Sequence, residues 1–198
     1  IISTGMADAE EIEEAIEAAR EGGCKELAIL HCVSGYPAPA SDYNLKTLVD
    51  MQNKFGLVAG LSDHTVDNTT AITSVALGAS IIEKHVTLDR NGGGPDDSFS
   101  LELKELKELC TGAKTAWAAI GNVDYGRKSS EQANVKFRRS LYFIKDIKEG
   151  EVITKKHIRS IRPGYGLAPK FFEEIIGRVS SRDILKGSSV QFKNLRKI

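Results

Sequence analysis

Residues 57–64 read Leu57-Val58-Ala59-Gly60-Leu61-Ser62-Asp63-His64, a short apolar run that ends on three polar groups. The run is too short for a helix and has no polar alternation, so Leu57 to Asp63 is expected to be a strand buried on both faces, as in a parallel sheet. The same arrangement recurs on either side. Upstream, Leu27 to Cys32 is a second apolar run that meets a loop at Pro37 and Pro39; downstream, Ser80 to Thr87 is a third, carrying Glu83, Lys84 and His85. Helical segments separate them, from about Asn44 to Phe55 and from Thr69 to Leu77. A further helix precedes the first run: Asp8 can cap it with Glu11 as capping-box partner, and Ile12, Ala15, Ile16 and Ala19 keep helical spacing up to Gly22-Gly23. After Gly92-Gly93-Gly94-Pro95, Ser100 is expected to cap an amphipathic helix running to about Ala119. Such alternation predicts an α/β unit with parallel strands and right-handed crossovers. The opening Ile1-Ile2-Ser3-Thr4-Gly5 reads as the end of a strand, so the chain is expected to begin in mid-fold.

Composition changes near Gly121. Residues 1–121 form the α/β unit, residues 122–139 are polar and basic as in a linker, and residues 140–198 hold short strands and tight turns. Within the last segment, Asp146-Ile147-Lys148-Glu149-Gly150 followed by Ile153, Lys156 and Ile158 is echoed by Asp183-Ile184-Leu185-Lys186-Gly187 followed by Val190, Lys193 and Leu195. Equal spacing in the two copies predicts two pseudo-symmetric hairpins packed on one another, each a strand, a glycine turn and a second strand.

Charge excludes some function classes. The 27 lysines and arginines balance 27 aspartates and glutamates, so there is no basic field for a nucleic-acid backbone. Cys24, Cys32 and Cys110 are three in number and lack paired spacing, which predicts reduced core thiols and a cytoplasmic location. No apolar run approaches the roughly 18 residues of a membrane span, and no signal-like segment opens the chain, so no membrane partner is expected.

The chemistry is expected at the strand ends, because ligands of parallel α/β folds bind at the carboxyl ends of strands. Ser34, Gly35 and Tyr36 follow the first complete strand, Ser62, Asp63 and His64 the second, and Glu83, Lys84 and His85 fall within the third. With a period of two, Ser62 and His64 face one side of the sheet, as do Glu83 and His85. Taken singly, each histidine reads as a satisfied strand-end residue. As a pair at matched ends they can reach one ion, and two imidazoles without cysteine suit an exchangeable, Lewis-acidic metal better than a closed structural site. His31 reads as core and His157 as a surface residue. Ser3 and Ser62 offer hydroxyls at loop entries that suit an anion such as phosphate. The loop Gly92 to Asp97 reads either as an active-site loop presenting Asp96 and Asp97 or as a solvent turn, and Arg162-Pro163-Gly164-Tyr165-Gly166 either as a binding tip or as a structural turn.

Together, Ser3-Thr4-Gly5-Met6-Ala7, His31 to Pro37, Gly60 to Thr65, Ile82-Glu83-Lys84-His85, Gly94-Pro95-Asp96 and Arg162-Pro163-Gly164 resemble the N-acetylneuraminate (sialic acid) synthase family, in family order across nearly the whole chain. The runs Pro95 to Leu101, Arg138 to Tyr142 and Ser160 to Gly166 look most like its pseudaminic acid synthase branch. The resemblance implies a (β/α)8 TIM barrel followed by a small SAF, antifreeze-like β-clip domain. It implies condensation of phosphoenolpyruvate with an N-acylated amino sugar, giving a nonulosonic acid and phosphate. The sugar would be of the 2,4-diacetamido-2,4,6-trideoxy-altrose type or N-acetylmannosamine. His64 and His85 match the family's catalytic metal ligands for Mn²⁺, with Mg²⁺ or Co²⁺ as alternatives. Ser3 and Ser62 match phosphoenolpyruvate contacts, Tyr36 and Asp96 line the substrate site, and Ser34 stands where some members carry asparagine. Arg162 resembles an arginine that reaches the amino sugar from the neighbouring subunit of a domain-swapped homodimer.

The family barrel has eight strands, of which this chain would supply the last three and the tail of a fourth. The phosphoenolpyruvate-binding lysines and the catalytic glutamate of the family fall outside it, so the chain alone is expected to be inactive. Two other readings compete: a different phosphoenolpyruvate-dependent 3-deoxy-sugar-acid synthase, and an inert sugar-binding module.

Overall fold

The computed structural model describes residues 1–197, which divide into two compact units, Ile1–Val123 and the residues from Asp124 onward. In the first unit the elements alternate: β1 (Ile2–Ser3), α1 (Ala9–Glu21), β2 (Ala28–Cys32), α2 (Lys46–Phe55), β3 (Val58–Asp63), α3 (Thr69–Ala76), β4 (Ile82–Lys84) and α4 (Leu103–Ile120). The strands form one parallel sheet in the order β1-β2-β3-β4, with Leu30 beside Gly60 and Ser62 beside Glu83. The α/β expectation is met.

The capping box of α1 forms as its sequence predicts: Asp8 Oδ1 accepts from the Glu11 N–H at 3.0 Å, and Glu11 accepts from the Asp8 N–H at 2.9 Å. At α4 the expected cap is displaced. The helix starts after Glu102, whose N–H donates to Glu105 at 2.9 Å, whereas Ser100 is buried and donates to the Asp96 carbonyl at 2.6 Å. The third strand is shorter than the apolar run suggests, because beyond Lys84 the chain pairs with Leu101, through Leu101 N to His85 O and Thr87 N to Leu101 O. A short 3-10 turn, Ala40–Tyr43, precedes α2 and carries the fully buried Tyr43.

The core of this unit lies between the sheet and its helices, built from Ile16, Ile29, Leu48, Met51, Ala59, Leu61 and Leu109. Leu48 and Leu61 are wholly buried, each worth about 1.5–3 kcal/mol relative to exposure. The cysteines depart from expectation. Cys24 and Cys110 are exposed, the first in the loop that the glycine pair opens after α1, the second on the face of α4 turned from the core; only Cys32 is half-buried.

The second unit contains β5 (Ser140–Phe143), β6 (Ile158–Ile161), a one-turn α5 (Phe172–Ile175), β7 (Val179–Ser180) and β8 (Leu195–Arg196). The pairs β5–β6 and β7–β8 are antiparallel hairpins, matching Tyr142 with Arg159 and Val179 with Arg196. The repeat is structural. Ile147 bridges to Ile184, its own counterpart, and Glu149 N donates to Asp183 at 2.9 Å while Lys186 N donates to Asp146 at 2.7 Å. Gly150 N likewise reaches Ser180 O and Gly187 N reaches Phe143 O. The expected pair of strand–turn–strand units is present as β5–β6 and β7–β8, but neither repeat pairs with itself. Each sits in the connection between two strands and pairs with the other copy about a local two-fold axis.

Residues 122–139 are not plain linker, since Ser129–Phe137 winds into an exposed 3-10 helix. His157 is not a free surface group either: its side chain is 16% exposed, with Nδ1 accepting from the Thr154 N–H at 3.3 Å. No helix among the described residues is long and apolar enough to cross a membrane.

Candidate functional site

Side chains alternate across a strand, and register partners in a parallel pair point the same way. Ser3, Leu30 and Gly60 therefore share the face opposite the helices, and two residues further along so do Cys32, Ser62 and Glu83. A hydrogen bond confirms it: Ser62 Oγ donates to Glu83 Oε1 at 2.8 Å. Two glycines stand at close approaches here, Gly60 against backbone and Gly5 against a side-chain hydroxyl. A Cβ on Gly60 would lie 2.5 Å from the Ile81 carbonyl and 2.6 Å from Leu30, and one on Gly5 would lie 2.1 Å from Ser34 Oγ. The tight approach at Gly5 brings the ends of β1 and β2 together and seats Ser34 against the Ser3-Thr4-Gly5 loop.

His64 and His85 follow β3 and β4 directly, with ring centroids 5.2 Å apart. His64 is buried and fixed from two directions. Its backbone N–H donates to the Tyr43 hydroxyl at 2.6 Å, and its Nδ1 donates to the Val33 carbonyl at 2.8 Å. A carbonyl only accepts, so the proton sits on Nδ1 and the lone pair on Nε2 is free, the tautomer of a metal-ligating imidazole. His85 is one-third exposed, with Nδ1 3.5 Å from an Asp96 carboxylate oxygen.

An aromatic wall borders the pair. The Tyr36 ring lies 4.3 Å from His64 and 5.9 Å from His85, and the buried Phe99 lies 5.2 Å from His85. The loop from Gly92 to Asp97 is ordered by Asp97, which accepts from Thr87 and from the Gly94 N–H; these bonds hold its carboxyl below the usual range and leave the neighbouring Asp96 turned toward His85. Six of the sequence candidates, Ser34, Tyr36, Ser62, His64, His85 and Asp96, are thus gathered at the ends of β2, β3 and β4. Ser3 lies on the same face at the end of β1, exposed. Arg162 belongs to the second unit, exposed immediately after β6.

The donor set can be tested for a metal. Among the described residues no group of three or more His, Cys, Asp or Glu side chains converges on one point. Two imidazoles, one with its tautomer fixed, fit an ion whose remaining positions are left to water and substrate.

Four residues outside the candidate set shape the site. Tyr43 is wholly buried, and its hydroxyl also donates to the Ser62 carbonyl at 3.2 Å, so one phenol spans Ser62 to His64. Burial, chiefly, pushes its pKa up to about 12, which keeps it a neutral donor. Glu83 was visible in sequence as a strand-end polar group, but its bond to Ser62 was not. Asp63 and Lys84 pair on the opposite face of the sheet.

Comparison with known proteins places these features in a family. The NeuB family model matches residues 1–125 and the SAF domain model residues 138–196. The chain is 38% identical over 196 residues to the pseudaminic acid synthase of Campylobacter jejuni (strain 81-176), covering 99% of this chain and 57% of that protein. It is 41% identical over 186 residues to the N,N'-diacetyllegionaminic acid synthase of Campylobacter jejuni (strain NCTC 11168), covering 92% and 56%. The crystal structure of spore coat polysaccharide biosynthesis protein SpsE from Bacillus subtilis superposes with a TM-score of 0.58 at 32% identity, covering 98% of this chain and 60% of that one. The chain therefore spans little more than half the length of these relatives. The expected architecture stands: the C-terminal part of a TIM barrel, then a small SAF domain.

Proposed function

Because the chain belongs to the NeuB family and carries an SAF domain, we propose that the full-length protein condenses phosphoenolpyruvate with an N-acylated amino sugar, yielding a nonulosonic acid and phosphate. The observation that carries this reading is the pair His64 and His85, side by side at the ends of adjacent strands, with the free Nε2 of His64 left by its bond to Val33. A divalent ion held by the two imidazoles, Mn²⁺ foremost, would supply Lewis acidity to the aldehyde of the open-chain sugar.

The surrounding residues have distinct tasks in this scheme. Ser3 donates a hydroxyl hydrogen bond to the phosphoenolpyruvate, and Ser62, whose one hydroxyl hydrogen is donated to Glu83 in the structure, turns it to the substrate on binding. Tyr36 and Phe99 present an apolar wall that holds the sugar chain and limits water beside the imidazoles. Asp96, next to His85, and Ser34 complete the polar rim that orients the sugar. Carbon 3 of phosphoenolpyruvate then bonds to the aldehyde carbon, water adds at carbon 2, and phosphate departs from that carbon. Arg162 acts from a partner subunit in a homodimer, and the enzyme works in the cytoplasm.

The relatives named for pseudaminic and legionaminic acid favour a diacetamido trideoxy sugar over N-acetylmannosamine as substrate. The test is phosphate release from phosphoenolpyruvate by the full-length protein with each sugar in turn. Turnover with a diacetamido sugar is expected; turnover only with neutral aldoses would move the protein to another class of 3-deoxy-sugar-acid synthase, and none with any sugar would leave an inert binding module.

A further inference from the structure

On the face of the sheet opposite the imidazoles, Lys84 Nζ donates to Asp63 Oδ2 at 2.8 Å, with the side chains 3% and 0% exposed. Its other protons go to the Thr65 carbonyl at 2.5 Å and the Thr65 hydroxyl at 3.4 Å. Asp63 is equally engaged: Oδ1 accepts from the Thr65 N–H at 2.9 Å and Oδ2 from the Thr65 hydroxyl at 3.1 Å. An ammonium with three donors and a carboxylate are thereby satisfied without water.

A buried ion pair is a weak source of stability, since replacing both charges by apolar groups is often neutral or stabilising. What it does supply here is position. Asp63 and Thr65 flank His64 on either side, and Lys84 is the residue before His85. One side chain of β4 thus holds both residues that flank one imidazole, by the Asp63 carboxylate and the Thr65 carbonyl, while being covalently joined to the other. Asp63 and Lys84 are also register partners, so the tie forms only in the alignment that puts both histidines on the same face.

We propose that Asp63, Thr65 and Lys84 form a positioning clamp that sets the spacing of His64 and His85 and, through it, the affinity of the site for a divalent metal; this rests on the metal reading of the two histidines. The clamp touches neither metal nor substrate. It acts by denying β3 and β4 the small relative slide that would part the imidazoles.

The test is Mn²⁺ affinity of the full-length protein, read from the electron paramagnetic resonance of free Mn²⁺ during titration, beside denaturant unfolding in chelator. In Asp63→Asn/Lys84→Met the asparagine can still accept from the Thr65 N–H, but the tie across the strands is gone. Affinity is expected to fall about 10- to 100-fold, the usual effect of removing outer supports of a metal site, with the unfolding midpoint near that of wild type. Should the double variant fail to fold, Lys84→Arg keeps the charge with a longer, planar head and is expected to weaken Mn²⁺ in the same direction. Wild-type affinity in the folded variant overturns the clamp. Unchanged affinity in His64→Ala and His85→Ala overturns instead the metal reading beneath it.

Discussion

Replacing Tyr43 with phenylalanine deletes one oxygen and keeps the ring that fills its place among the helices. The hydroxyl accepts from the His64 N–H at 2.6 Å and donates to the Ser62 carbonyl at 3.2 Å, and Tyr43, Ser62 and His64 are all buried. Water cannot readily replace it, so the variant leaves a buried N–H unpaired at a cost of about 1–3 kcal/mol. Urea unfolding of the full-length protein at neutral pH should show that loss as a lower midpoint with an unchanged slope. The pH dependence gives an independent check. The folded pKa, pushed up to about 12, exceeds the unfolded value near 10, so the stability it confers is complete below pH 10. Above that the unfolded chain ionises first, and the contribution is lost as pH rises through 12, roughly 3 kcal/mol for two pKa units. Wild type should therefore lose its advantage over Tyr43→Phe between pH 10 and 12. Equal stability at pH 7 refutes the claim that this phenol braces the His64 backbone, and a gap that persists unchanged to pH 12 refutes the burial that raises its pKa.

His64→Ala or His85→Ala in the full-length protein should abolish metal-stimulated turnover with circular dichroism unaltered, and wild-type activity of both in chelator would sink the assignment. Heterodimers of an Arg162→Ala subunit with a His64→Ala subunit should regain part of the activity if the arginine serves the partner's site; no recovery in verified heterodimers would place it in its own. The carboxyl of Asp183 is held below its usual range by Lys148 and then by the Glu149 N–H, so its stabilising effect is present above that range and lost as pH falls through the folded value; Asp183→Asn should flatten the acid limb of unfolding slightly, the pair being exposed. Residues 1–198 alone should release no phosphate from phosphoenolpyruvate, since the inner face of the four-strand sheet leaves Ser3, Tyr36 and Glu83 exposed; amino-sugar-dependent release by that chain would show the site complete in itself.

What could be read from the sequence was whatever depends on period and position along the chain. Apolar runs broken by glycine and proline gave the alternation of β2, α2, β3, α3 and β4, because burial of a strand on both faces and the length of a crossover are local properties. The paired histidines were legible for the same reason: a strand end is a defined place, and two ends in adjacent parallel strands must lie together. The repeat about Ile147 and Ile184 was legible as spacing, yet not as architecture, since a sequence shows two like segments and does not show that each pairs with the other instead of with itself. Cys24 and Cys110 were misjudged because residue type predicts average burial, whereas one lies beyond a helix stop and the other on the outward side of α4. The supports of the site were the least visible. Tyr43 reaches His64 across 21 residues from a 3-10 turn that carries no helical or strand period, and Lys84 meets Asp63 only once the register is known. Such contacts leave no spacing signal, because their distance along the chain is set by the length of the intervening crossover and not by the geometry of the bond. The candidate residues of this site announce themselves by where strands end; the residues that hold them in place are chosen by the packing of strands on one another, which no spacing along the chain displays.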